Sequence, residues 1–249
     1  MKERIIHVDS LTGGYEEEIV LKNVSMDVFT GEVLVIVGKS GCGKSTIMRY
    51  LVGLMRPMEG RILFDGMDIW EDKSILSAAR SRWGVLFQSG ALMGNLTVLE
   101  NVMLPLAEFT GLTRPEMTDV AMSKLEMVGL IHAAYENPLE ISGGMQKRAA
   151  LARAMALDPE VLFFDEPSAG LDPVTSAELD RTIVSVNKSL GTTVIIVTHE
   201  LDSIFAISDR VVMLDPEEKG IIATGKARAL AGESTDQRVR DFFGRKTGD

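Results

Sequence analysis

The feature that most constrains this chain is the junction between residues 33–37 (VLVIV) and residues 38–45 (GKSGCGKS). An unbroken aliphatic run, mostly β-branched, reads as a strand covered on both faces. The glycine-rich octet after it matches G-x-x-x-x-G-K-[ST]. Residues 46–54 then carry apolar side chains at helical spacing. A turn of this kind lets backbone N–H groups converge on phosphate oxygens, and the following helix adds its positive N-terminal end. The candidate phosphate-binding residues are therefore Gly38, Ser40, Gly41, Cys42, Gly43, Lys44, Ser45 and Thr46. Lys44 can reach the outer phosphates, and the Ser45 hydroxyl can sit on Mg2+.

Other elements fall around this junction. Residues 21–29 alternate apolar and polar side chains imperfectly, then more regularly toward Phe29. Residues 61–64 before Asp65-Gly66 read as a further strand, so an antiparallel sheet is expected beside a parallel one. Strand signals return at 161–164, 193–197 and 210–214. A helix is expected at 177–190, with Leu179, Ile183, Val186 and Leu190 on one face. Alternating strands and helices argue for an α/β core with a parallel, helix-covered sheet. Residues 89–158 read as a helical insertion, with Thr97 and Glu100 forming a capping-box signal. Residues 226–249 form a tail with Val239, Phe242 and Phe243 on one side of a short helix.

Two more motifs carry chemistry. Residues 161–164 end in Asp165 and Glu166. In phosphate-loop proteins an acid at this place holds Mg2+, the role Asp165 fits. Glu166, one residue on, is placed to polarise an attacking water as general base. Ser142-Gly143-Gly144 opens a helix bearing Lys147, Arg148 and Arg153, which makes either a second anion site or a plain N-cap. Cys42 lies in the loop beside Lys44 and a helix N-terminus, both of which lower a thiol pKa, so redox sensitivity is one expectation and a plain small loop residue the default.

Composition excludes other classes. The net charge of −10 opposes general nucleic-acid binding. One cysteine permits no intrachain disulfide and fits a reducing compartment. The first ten residues mix charged and apolar side chains, so no signal peptide is expected. The longest apolar runs fall far short of the roughly 20 residues of a spanning helix.

The order of phosphate loop, Gln88, Ile141-Ser142-Gly143-Gly144-Met145, Asp165-Glu166, residues 168–172 and His199 resembles the ATPases of ABC (ATP-binding cassette) transporters from about Tyr15 to Asp215. Ser168 and Ile141 stand where that family often has Thr and Leu. The resemblance implies a P-loop NTPase (RecA-like) core with an N-terminal antiparallel β subdomain and a helical insertion. It divides a single ATPase domain of residues 1–249 into a core of 1–88 and 159–225, a helical part of 89–158 and a tail of 226–249.

It also implies ATP and Mg2+ as ligands, the metal held through Ser45, Gln88 and Asp165. Tyr15 would stack on adenine. Ser142, Gly143 and Gly144 of one copy would meet the γ-phosphate held by the other copy, and Asp172 would link the two sites of the homodimer. Glu166, His199, Lys44 and Gln88 would carry catalysis. A separate transmembrane permease would be the partner, with the chain peripheral on the cytoplasmic face of the inner membrane.

Residues 87–92 (FQSGAL), 96–102 (LTVLENV) and 198–203 (THELDS) resemble more narrowly the ATPases of MCE (Mla-like) phospholipid transporters, whose complexes include an MCE-type lipid-binding protein. In such complexes the tail often packs on the other ATPase subunit, a role open here to Val239, Phe242 and Phe243. ATPases of amino-acid importers and lipoprotein exporters share much of this pattern. A soluble ABC protein acting on nucleic acid would carry a long coiled coil or a second cassette.

Overall fold

Residues 3–16 and 18–244 are described by a computed structural model, in which two compact units are present, Met1–Arg80 with Thr193–Asp249 and Ser81–Thr192. The first opens with β1 (Arg4–Tyr15), β2 (Glu18–Phe29), β3 (Val33–Gly38), α1 (Lys44–Leu51), β4 (Glu59–Phe64), β5 (Met67–Asp68) and α2 (Lys73–Arg80). The second contains β6 (Trp83–Leu86), α3 (Val98–Phe109), α4 (Arg114–Met127), α5 (Gly143–Ala154), β7 (Val161–Asp165) and α6 (Pro173–Leu190). The chain re-enters the first unit through β8 (Thr193–Val197), α7 (Leu201–Ile207), β9 (Arg210–Asp215), β10 (Gly220–Gly225), α8 (Ala227–Glu233) and α9 (Gln237–Phe243).

In the first unit β2, β1, β4 and β5 pair antiparallel in that order. The broken alternation in β2 has a physical cause. Asn23 sits in the left-handed region (φ 51°) beside a register shift, so Leu21 and Val24 are both buried although they are three residues apart. An extra residue in one strand resets which side chains face inward. From Val24 the regular period returns, with Met26 and Val28 buried.

β3 is buried along its whole length and runs parallel to β8 on one side and β9 on the other, with β10 antiparallel beyond β9. Its aliphatic side chains, like those of β8, each contribute about 1.5–3 kcal/mol relative to exposure. That burial fixes the strand from which the glycine turn departs. Ile47, Met48 and Leu51 of α1 are buried as well, so the helix after the turn is held by its apolar face. The N-terminus of β3 is fastened by Glu32, whose buried carboxylate accepts from Arg210 Nη2 (2.6 Å), Arg210 Nε (3.1 Å) and Phe29 N (2.8 Å). Arg210 also lies over the Phe29 ring, 5.3 Å from its centroid.

The tail folds onto its own unit. Val239, Phe242 and Phe243 of α9 are buried, and the Phe243 ring lies 5.7 Å from Phe205 of α7 and 5.2 Å from Phe242, centroid to centroid. These side chains are thus spent within the protomer rather than left for a second copy. Residues 245–249 of the expected tail lie outside the described residues.

In the second unit β6 and β7 run parallel, Leu86 facing Phe164. The expected capping box of α3 is present: Thr97 Oγ1 accepts from Glu100 N (3.1 Å), and Glu100 Oε2 accepts from Thr97 N (3.0 Å). In α6, Leu179, Ile183 and Val186 are buried as the spacing predicts, but Leu190 is not, because it is the last residue before the left-handed Gly191 that ends the helix.

Among the described residues no helix is long and apolar enough to cross a membrane. Glu32→Ala leaves Arg210 without its carboxylate partner, with only Asp27 O to accept from it, and the Phe29 amide without its acceptor, and is expected to cost about 3 kcal/mol. Thermal unfolding of the two proteins checks this, with a midpoint lower by roughly 6–12 °C expected and an unchanged midpoint contradicting it.

Candidate nucleotide-binding site

The first unit offers a phosphate cradle. β3 ends at Gly38 (φ 152°), and α1 begins after Gly43 (φ 97°). A Cβ on Gly38 would lie 2.4 Å from Leu214 O and 2.5 Å from Cys42 Sγ, and one on Gly43 would lie 2.7 Å from Leu21 Cδ2. Only glycine meets both the dihedral and the space at these points. Gly41 (φ 79°) faces open space, and Ser40 and Gly41 are exposed. No side chain caps the first turn of α1, so amide donors there remain for an anion. Lys44 Nζ donates to Gly38 O (2.9 Å) and Lys39 O (3.1 Å), which draws its ammonium across the loop. Ser45, next to it, is exposed.

Parallel pairing places His199 here. Ile36 faces Val197 between β3 and β8, so His199 lies level with Gly38, each two residues further on. Both are at the C-terminal ends of parallel strands, where α/β folds bind ligands. His199 is exposed, with Nε2 3.6 Å from Glu200 Oε1. Tyr15, at the end of β1, is 41% exposed, and its hydroxyl is anchored to α1: Arg49 Nη1 donates to it (2.8 Å), and buried Thr46 Oγ1 is 3.4 Å away. The Arg49 guanidinium is 5.8 Å from the Tyr15 ring centroid.

Cys42 departs from the reactive-thiol expectation. Its side chain is buried, and burial pushes the thiol above its ordinary pKa, outweighing the lowering influence of Lys44. The nearby charge was legible in the sequence; the desolvation that overrides it was not.

The second unit presents the acids. Leu86 faces Phe164 at the end of the paired stretch, and Gln88 and Glu166 follow just beyond the two strands. Gln88 and Asp165 line one open cleft of about 580 Å³ together with Phe87, Ser89, Ala169 and Gly170. Glu166 is buried and left-handed (φ 48°), and its carbonyl accepts from Ala169 N (3.1 Å). A non-glycine residue in that region persists only where its surroundings impose it, and such positions cluster at active sites. The buried Ser168 hydroxyl, in the same loop, has no hydrogen-bond partner.

At the start of α5, Ser142 is the N-cap, its Oγ accepting from Met145 N (3.3 Å). Ser142 and Gly143 are exposed and Gly144 is buried. A Cβ on Gly144 would stand 2.3 Å from Thr175 Cγ2, so glycine is required where α5 approaches α6. Asp172 caps α6: its carboxylate accepts from Val174 N (3.0 Å), Thr175 N (3.1 Å) and Thr175 Oγ1 (2.5 Å). These bonds from Thr175 hold its pKa below the usual carboxylate value. Arg148 pairs with Glu178 (3.4 Å), whereas Lys147 and Arg153 bond backbone carbonyls of residues 88–91. Basic residues after Ser-Gly-Gly suggest an anion site in the sequence, but all three bond groups of the protein itself.

The donors suit a nucleotide with a hard cation. Among the described residues no group of three or more His, Cys, Asp or Glu forms a metal cage. Ser45 in the first unit, and Gln88 and Asp165 in the second, each carry an oxygen donor of the kind Mg2+ accepts when phosphates and water complete its shell.

Known proteins resemble this chain over most of its length. The ABC transporter family model matches residues 21–169. The intermembrane phospholipid transport system ATP-binding protein MlaF of Escherichia coli K12 is 43% identical over 225 residues, covering 90% of this chain and 82% of that protein. The "Probable ribonucleotide transport ATP-binding protein mkl" of Mycobacterium leprae is 41% identical over 245 residues, covering 98% and 70%. Among solved structures, the dimeric post-hydrolysis ATP-binding cassette MJ0796, bound to ADP and Pi, superposes with a TM-score of 0.79 at 31% identity, covering 89% of this chain and 98% of that one.

The burial of Cys42 predicts that its thiol in the folded protein reacts with a soluble maleimide at neutral pH at least ~10-fold more slowly than free cysteine, because only the exposed thiolate reacts. Labelling as fast as free cysteine contradicts the assignment.

Proposed function

The chain belongs to the ABC transporter family as an ATP-binding, ATP-hydrolysing member, and on that premise we propose that it works as a homodimer driving phospholipid movement across the cell envelope through a separate permease. The observation that carries the nucleotide reading is the fully buried β3 discharging into a three-glycine turn across which Lys44 is drawn. The lipid reading is supported by the 43% identity to MlaF over most of both chains. An MCE-type lipid-binding protein belongs to the proposed complex, and the chain sits peripherally on the cytoplasmic face of the inner membrane. The proposed division is a core of residues 1–88 and 159–225, a helical part of 89–158 and a tail from 226.

The roles follow from chemistry. Amides of residues 38–46 hold the phosphates, and Lys44 exchanges its two loop carbonyls for phosphate oxygens. Tyr15 offers its exposed ring to adenine. Ser45, Gln88 and Asp165 hold Mg2+, which neutralises charge on the outer phosphates. Glu166, buried enough to keep a defined orientation, takes a proton from the attacking water. His199 and Lys44 stabilise charge that develops on the γ-phosphate. Ser142 and Gly143, exposed at the start of a twelve-residue helix, provide with Gly144 the second anion site, which lies over the nucleotide of the other copy; that solved MJ0796 is dimeric supports the pairing of two copies. Asp172, fixed as a cap, presents the loop that links the two sites.

Glu166→Gln is expected to bind ATP normally and turn over at least ~100-fold more slowly, as phosphate release and nucleotide binding measure together. Near-normal turnover removes Glu166 as the base. Lys44→Ala is expected to lose most ATP affinity, and unchanged binding contradicts the cradle. For the cargo, the chain reconstituted with its permease is expected to move labelled phospholipid between vesicles only with ATP, and not at all as the Glu166→Gln variant; ATP-independent transfer removes the lipid reading.

A further inference from the structure

The segment that carries Gln88 is fastened to the helix that begins with Ser142. Lys147, 7% exposed on α5, donates from Nζ to Gln88 O. Arg153, two turns further along α5, donates from Nη2 to Gly90 O (2.6 Å) and from Nη1 to Ala91 O (2.7 Å). Gly90 and Ala91 are consecutive left-handed residues, with φ of 71° and 48°. An alanine stays in that region only where neighbours over-determine it, and the Arg153 fork is one such constraint. A Cβ on Gly90 would touch Ala150 Cβ at 3.5 Å, so the turn lies directly on α5. From the other side, fully buried Asn101 accepts from Met93 N (2.8 Å) and donates to Met93 O (3.0 Å) and Thr97 O (2.9 Å). The backbone is pinned at 88, 90, 91 and 93, and Gln88 lines the cleft with Asp165.

We propose that Lys147, assisted by Arg153, is a positioning residue that sets the aim of Gln88 and locks it in register with the Ser142–Gly143–Gly144 turn on the same helix. The proposal rests on the ATPase reading given above. Burial lowers the pKa of both cations, and a buried cation is retained at that cost where it has acceptors to fill. Here the acceptors are backbone carbonyls of the segment that delivers a catalytic side chain. A phosphate-binding role would instead leave the two side chains free at the helix start. Because α5 is one rigid helix, an anion engaging its N-terminus acts on an element that also holds residues 88–91.

The test is a double-mutant cycle in the full chain, with Lys147→Met, Gln88→Ala, the double variant and Lys147→Arg. Phosphate release gives kcat and KM, a fluorescent ATP analogue gives nucleotide affinity, and thermal unfolding reports folding. Lys147→Met is expected to lower kcat roughly 10–100-fold, the scale of a small misplacement of a catalytic group, with nucleotide affinity changed less than about 3-fold. The double variant is expected to match Gln88→Ala within about 2-fold, since one residue acts through the other. Lys147→Arg, which keeps a donor, is expected to recover most of the turnover.

Multiplied losses in the double variant, or wild-type turnover in Lys147→Met, overturn the proposal. Should Lys147→Met not fold, Arg153→Met, which removes the donors to both carbonyls, replaces it in the same cycle under the same criteria. A wild-type chain that releases no phosphate sinks the ATPase reading and this inference with it, whereas an active wild type with multiplied losses sinks this inference alone.

Discussion

Backbone amides can close around a triphosphate only where no side chain stands in the way and the chain can turn left-handed, and the first unit depends on meeting that requirement at one point. Gly38 and Gly43 satisfy it under opposite pressures: a Cβ on the first would collide with Leu214 and Cys42, and one on the second with Leu21. The turn is therefore packed from beneath while Ser40 and Gly41 stay open to solvent. Burial of β3 between β8 and β9 supplies the rigid support. The same register brings His199 level with Gly38. Position at the end of a buried parallel sheet, more than any single interaction, suits this turn to the phosphate binding proposed for it.

In the second unit the governing element is α5. Its first turn is Ser-Gly-Gly because Gly144 meets Thr175, whose hydroxyl also binds the Asp172 carboxylate. Its middle and end carry the two cations that hold residues 88–91. One helix thus touches the proposed γ-phosphate contact, the loop of Asp172 and the loop of Gln88. Contacts to a single helix tie these three segments to one another.

Much of this was legible in the residue string, for physical reasons. An aliphatic run before a glycine-rich octet, or four apolar residues before Asp165-Glu166, leaves little freedom in local structure, and β3, β7 and the cap of α3 lie where the pattern puts them. Properties set by distant packing were not legible. β6 is only four residues long and contains Gly84, required because a Cβ there would meet Ala154 O at 2.1 Å; no periodicity announces such a strand. The bulge at Asn23 blurred the period of β2. Burial reversed the expected pKa direction of Cys42, and Phe205 captured Phe243 within the protomer. Lys147 and Arg153 were visible as charges, but their acceptors are backbone carbonyls some 60 positions away in sequence, which no local pattern encodes.

The central claim is that each working pocket takes its phosphate cradle from one copy and its Ser-Gly-Gly helix start from another. Subunit complementation tests it most directly. Protein carrying Lys44→Ala and protein carrying Ser142→Arg are each expected to be silent alone. When the two are mixed and allowed to exchange, half of the dimers hold one intact pocket, and about a quarter of wild-type ATP turnover is predicted to return. A mixture that stays as silent as its components, despite demonstrated exchange, would contradict the shared pocket.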